Sequence, residues 1–266
     1  MNSPIVFDSS LVTANPLPPQ AETIRLENVG VRYRIPSERI ATFKEYFIRR
    51  LQGRVKSKEF WALRNVDLNI LRGEVFGLIG HNGAGKSTLL KLIARVLKPT
   101  EGRVVVRGRV APLLEMGAGF HGELTGRENV YLNGALLGFS HQEMEAKYPR
   151  IVDFAELQEF IDAPMRTYSS GMWARLGFAV ATDAQPDVLI IDEVLAVGDE
   201  PFQRKSFDRI MQFRDGGATI LLVSHNLIMV EALCHRVAWI DHGHVKQSGL
   251  TEEIIREYRQ SHKNET

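Results

Sequence analysis

"GHNGAGKST", Gly80 to Thr88, is the stretch from which the rest of the chain is read. It fits the pattern of a glycine, four free positions, then glycine, lysine and serine or threonine. The apolar run "GEVFGLIG" leads into it, and "KSTLLKLIARVL", with helical spacing, leads out. In that strand–turn–helix setting glycines let the backbone close around an anion, and the helix start adds its dipole. Gly80, His81, Asn82, Gly83, Ala84, Gly85, Lys86, Ser87 and Thr88 are the candidate cradle for nucleotide phosphates. The motif predicts that Lys86 reaches the β- and γ-phosphates and that Ser87 offers its hydroxyl to Mg2+.

Such a cradle needs a carboxylate at the end of a neighbouring strand. "VLIIDE" supplies Asp192 for the metal, directly or through its water shell, and Glu193 as the candidate general base for an attacking water. Side chains on a strand diverge, so the two carboxylates need not share a job. "TILLVS", another continuous apolar run, is followed by His225, which could hydrogen-bond the γ-phosphate and hold Glu193 or the water. Such runs suggest strands buried on both faces of a parallel sheet. "RVAWIDHGHVKQSG" reads as a hairpin turning at Asp241, His242 and Gly243. Its "DHGH" has metal-ligand residues, but the turn accounts for them.

"TYSSGM", Thr167 to Met172, opens the helical pattern "MWARLGFAVATDA" with two serines and a glycine, although one serine would cap a helix. The segment resembles a degenerate form of the LSGGQ signature of ABC ATPases, with a hydroxyl at Ser169, Ser170 in place of a glycine, and Gly171. The order of phosphate loop, helical insertion, signature, "VLIIDE" and histidine resembles that family over about residues 24–247. The longer stretches "GRVAPLLEMGAGFHGELTGRENVYLNGALLG", "RTYSSGMWARLGFAVAT" and "IDEVLAVGDEPFQRK" resemble the ATPase subunits of bacterial polysaccharide exporters for O-antigen, capsule or teichoic acid.

The resemblance implies an α/β ABC ATPase nucleotide-binding domain: a mostly parallel core sheet, an antiparallel β subdomain and a helical subdomain. It implies ATP and Mg2+ as ligands. It implies that two chains pair head to tail when ATP is bound, residues 168–172 of each closing over the γ-phosphate held by the other, with two identical sites by two-fold symmetry. Asp199 then matches the D-loop, and Tyr33 the aromatic that stacks on adenine. Glu115 stands where ordinary members carry a glutamine, and its carboxylate could still reach Mg2+ or its water. The implied partners are two copies of a polytopic membrane permease, with a lipid-linked glycan as cargo and no nucleic acid. The implied place is the cytoplasmic face of the bacterial inner membrane, held peripherally.

Composition agrees. The chain has 266 residues, a net charge of +1 and one cysteine, Cys234. Near-neutrality gives no whole-chain pull toward nucleic acid, and a single cysteine excludes an internal disulfide. No apolar run approaches a membrane span. A soluble ABC ATPase of translation or DNA repair is the rival reading, but this chain has neither two ATPase halves nor long coiled coils. A binding-only relic is a second rival, which the intact Lys86, Asp192, Glu193 and His225 oppose.

Residues 1–22 read as a loosely ordered tail, 23–250 as the nucleotide-binding domain with its helical part at about 120–185, and 251–266 as a C-terminal helix and tail. The expectation is that no C-terminal carbohydrate-binding domain is present, by nature or by truncation. Within 34–60, Ile40, Phe43, Phe47, Ile48 and Leu51 make an apolar stripe on a basic helix. Two readings stay open for it: a surface helix packed on the domain, or a contact with the membrane subunit or an anionic lipid surface.

Overall fold

A computed structural model describes residues 21–36, 57–113, 117, 119–192 and 198–263. Among them nine strands form two sheets. β1 (Glu22–Pro36), β2 (Ser57–Leu71) and β4 (Glu101–Val106) make an antiparallel sheet in the order β2-β1-β4. The second sheet holds β3 (Val75–Ile79), β5 (Val110–Leu113), β6 (Val188–Asp192), β7 (Thr219–Val223), β8 (Arg236–Asp241) and β9 (His244–Leu250). Its order is β5-β6-β7-β3-β8-β9, parallel throughout except for β9, which runs back along β8.

The continuous apolar runs are explained by burial on both faces. Alternate residues Phe76, Leu78, Val188, Ile190, Leu221, Val223, Ala238 and Ile240 join one core cluster, shared with β1, β2 and helix α1 (Lys86–Ile93). Their neighbours Val75, Ile79, Leu189, Ile191, Ile220, Leu222, Val237 and Trp239 join a second. With a period of two and both faces covered, no position along the strand is left for a polar side chain.

Helices α2 (Gly126–Leu136), α3 (His141–Ala155), α4 (Ser170–Ala181), α5 (Glu200–Asp215), α6 (Leu227–Leu233) and α7 (Thr251–Lys263) build the second cluster from the other side. α2 and α3 both start with a full capping box, Thr125 with Glu128 and Ser140 with Glu143. Each box satisfies two otherwise orphaned helix-start N–H groups.

The structure departs from the sequence reading in two places. α1 ends at Ile93, before the run "KSTLLKLIARVL" does: Arg95 turns left-handed at φ 62°, and the Val96 and Leu97 amides both return to the Lys91 carbonyl. Residues 101–113, strands as their alternation suggests, are divided between the two sheets, β4 in one and β5 in the other. Residues 34–36 and 57–58 continue β1 and β2, paired as Pro36 with Ser57 and Ile35 with Lys58. The amphipathic stripe itself lies on 40–51, outside the described residues. None of the described helices is long and apolar enough to cross a membrane.

Candidate functional site

The phosphate loop joins the fully buried β3 to α1. Two of its glycines are demanded by the fold. Gly80 has φ 146°, and a Cβ there would drive into the Ile240 carbonyl oxygen. Gly85, the N-cap of α1, is left-handed at φ 110°, and a Cβ there would stand 2.8 Å from the Ala62 carbonyl oxygen. With glycine at the cap, the cap residue offers no side-chain acceptor to the first turn of α1. The helix start therefore points backbone donors into the loop, as an anion site requires. Lys86 is buried and donates to the carbonyls of Gly80 at 2.6 Å and His81 at 2.9 Å, which holds its ammonium across the loop. Ser87, Asn82 and Gly83 are exposed, Thr88 is half-buried and Ala84 is buried.

One wall of the loop was not expected. The β8–β9 turn clamps it: the Gly243 amide donates to the Ala84 carbonyl at 2.9 Å, and the Arg64 amide to the Gly243 carbonyl at 2.9 Å. These bonds join positions more than a hundred residues apart, so no local pattern announces them.

Sheet register brings the metal candidate to the same rim. Leu78 on β3 pairs with Val223 on β7, and Val223 with Asp192 on β6. Asp192 thus stands level with the end of β3, two strands away, or about 10 Å at ordinary strand spacing. His225 follows the end of β7, the strand between them, and is exposed; the Asn226 side chain beside it caps α6, accepting from the Ile228 and Met229 amides. Glu193 and Glu115 lie outside the described residues. Ser87 and Asp192 are hard oxygen donors, the kind Mg2+ prefers.

Tyr33 is 38% exposed on β1 and pairs across to Phe60 on β2, itself 53% exposed. A second aromatic thus lies beside the candidate adenine ring-stacker. Sequence reading passed over it because the pairing comes from the sheet.

The serine–serine–glycine start of α4 divides its labour. Ser169 is the N-cap and accepts from the Met172 amide at 3.1 Å. Ser170 is already helical and exposed. A Cβ on Gly171 would meet only the Ser169 oxygen, at an ordinary 3.7 Å, so no contact among the described residues demands a glycine there. Tyr168 anchors the segment by donating its hydroxyl to the Phe160 carbonyl at 2.8 Å, and burial pushes that hydroxyl's pKa up to about 12. Asp199 is the N-cap of α5, accepting from the Phe202 amide at 3.4 Å.

The ABC transporter family model matches residues 63–196. The chain is 52% identical over 207 residues to the O-antigen export system ATP-binding protein RfbB of Klebsiella pneumoniae, covering 78% of this chain and 84% of that one. It is 47% identical over 250 residues to the protein of the same name from Myxococcus xanthus, covering 92% of this chain and 57% of the relative. The teichoic acids export ATP-binding protein TagH of Levilactobacillus brevis is 41% identical, with 89% and 64% covered. The fold is similar to that of an ATP-binding subunit of an ABC transporter, with a TM-score of 0.68 at 24% identity, covering 89% of this chain and 93% of that one. It is also similar to a dimeric ATP-binding cassette in a post-hydrolysis state bound to ADP and Pi, with a TM-score of 0.66 at 23% identity and 86% and 98% covered. The chain belongs to the ABC transporter family, among the ATP-binding proteins of bacterial polysaccharide exporters.

Proposed function

We propose that this chain is the ATP-hydrolysing subunit of an exporter that moves a lipid-linked polysaccharide across the cytoplasmic membrane, working as a pair of copies beneath a pair of permease subunits. The observation that carries the ATPase reading is the start of α1: a glycine cap with no side-chain acceptor, and Lys86 held across the loop. The names of its relatives carry the cargo class. The chain spans 57% of the Myxococcus relative and 84% of the Klebsiella one, so the work of the whole exporter is part of the proposal.

In this reading residues 80–88 wrap the phosphates, and Lys86 neutralises charge on the β- and γ-oxygens as the bond to the leaving phosphate lengthens. Ser87 and Asp192 hold Mg2+, with Glu115 near its water shell; the ion, when bound, draws charge from the same phosphate oxygens. Glu193 takes a proton from the attacking water. His225 orients that water or Glu193, and Tyr33 stacks on adenine. Ser169, Ser170 and Gly171 of one copy close on the γ-phosphate bound by the other, and Asp199 lies at the same joint. Residues 23–250 form the nucleotide-binding unit, with its helical part at about 120–185. Closure on ATP and reopening after hydrolysis do the mechanical work. The subunit sits at the inner face of the membrane through its permease.

Loss of the gene tests the cargo. Cells lacking this subunit should lose a surface glycan and accumulate its lipid-linked form inside, and Lys86→Ala should fail to restore export. Undiminished glycan at the surface would contradict the reading. Co-purification with RNA or DNA instead of a membrane protein would favour a nucleic-acid ATPase.

A further inference from the structure

His81 lies in the phosphate loop, but its side chain turns outward onto the β8–β9 turn. Its Nδ1 is 2.8 Å from the Asn82 carbonyl oxygen, and a carbonyl can only accept. Nδ1 therefore carries the proton, and in a neutral ring Nε2 is left with a bare lone pair. That Nε2 is buried and makes no hydrogen bond, although Asp241 Oδ1 is 3.2 Å away. A carboxylate also has only lone pairs to offer. Two lone pairs facing each other at this distance repel unless a proton or a metal cation lies between them.

The second ring of the group is already at hand. His242 Nδ1 is 2.8 Å from the same Asp241 oxygen, and the His81 and His242 ring centroids are 4.8 Å apart. One donor atom from each of His81, Asp241 and His242 can be chosen so that all lie within 4.8 Å of one another. We propose that these three side chains form a site for a divalent cation of the zinc class, tying the phosphate loop to the β8–β9 turn, with the remaining position open to water or an outside ligand.

The donor set favours that class. Two imidazoles and one carboxylate suit Zn2+ and its neighbours, whereas Mg2+ takes an all-oxygen shell. The backbone carbonyl on His81 Nδ1 is the outer partner that ligating histidines usually have; it fixes the tautomer and aims Nε2 at the ion. Zinc–ligand distances of about 2.0–2.2 Å require the three donors to draw in by an ångström or so. His242, whose side chain is 82% exposed, is free to make that movement. The site is separate from the one assigned above to Mg2+, which uses Ser87 and Asp192.

The test uses the whole chain, free of nucleotide, with Mg2+ in excess so that the hard-oxygen site does not compete. Cobalt(II) is titrated as the probe, and the visible absorption of low-coordinate cobalt is followed. One equivalent per chain should bind with that signature, and Zn2+ should displace it. His242→Ala and Asp241→Asn, each with the circular dichroism of the parent, should weaken cobalt binding about 100-fold. Absence of the cobalt signature, or undiminished cobalt affinity in both variants, overturns the proposal.

Discussion

Two helix starts in this chain are rich in glycine and small residues, and they are built on opposite principles. At α1 the glycines answer demands inside the chain: Gly80 and Gly85 sit where a side chain would strike the Ile240 and Ala62 carbonyls, and both are at positive φ. At α4 the cap is an ordinary serine, and a Cβ on Gly171 would make only an ordinary contact with it. The first start is closed on itself, clamped by the β8–β9 turn and by Lys86. The second leaves an exposed serine and a glycine that no contact among the described residues requires. A glycine without an internal reason points to an external one, here the close approach of another molecule. In the proposed function the loop holds its ligand within one chain, while residues 168–172 meet a partner copy.

That contrast can be broken in steps. The largest effect is expected at Lys86. Lys86→Ala should lower ATP turnover by about 10²- to 10³-fold, because a charge aimed at the phosphates is lost. Binding of ATP should weaken with it, and unchanged nucleotide affinity would remove Lys86 from the phosphate site.

Next come the two glycines, which should fail in opposite ways. Gly171→Glu should leave the melting temperature and single-chain ATP binding intact, since a Cβ there meets only the Ser169 oxygen at an ordinary distance. Its turnover should still fall about 10²-fold, because the partner is held off the γ-phosphate. Gly85→Ala should destabilise the fold itself, by about 1–3 kcal/mol, from left-handed backbone strain and the Ala62 contact. Equal melting losses for both would erase the distinction.

The smallest effect sharpens the comparison at the far end of α4. Asp183 follows that helix with its side chain only 6% exposed, bonded by Lys147 at 2.8 Å and by Arg150. Burial alone would raise its pKa, but the hydrogen bonds and charges of Arg150 and Lys147 outweigh that and hold its carboxyl below the usual aspartate value. A depressed folded value stabilises above the unfolded pKa, about 3.9, and the gain drains away as pH falls through the folded value. Asp183→Asn should cost about 1 kcal/mol at neutral pH. The gap from the parent, read by denaturant unfolding, should narrow as the pH drops below about 4. A gap independent of pH would show that the ion pair is not its source.

Much of this contrast was legible in the sequence, and what was not has a common cause. The loop announced itself because glycine, lysine and serine recur there at fixed spacing between a strand run and a helix run. The runs at 188–192 and 219–223 were readable as strands because burial on two faces leaves only apolar residues. Asp199 was noticed as a motif residue, while its role as the cap of α5 went unread, although Pro201 at the helix start is a sign of it. The shared stretch 101–113 could not be assigned, since alternation identifies a strand without naming its neighbours. "DHGH" reads as a turn and forms the β8–β9 turn, but His81, third member of the proposed cation site, is 160 residues upstream of Asp241. Contacts of that span leave no local trace.

The most direct measurement is a cross-link between copies in the Glu193→Gln background, where the proposed base role predicts blocked hydrolysis and a lasting closed state. One population carries Ser170→Cys and another Asn82→Cys, with the natural Cys234 buried and its thiol pKa raised by burial. Mixed with ATP and Mg2+, the two should form a disulfide-linked dimer, and neither should do so alone or without nucleotide. If saturating ATP yields no such link, or the same link forms in its absence, the shared-nucleotide account is contradicted.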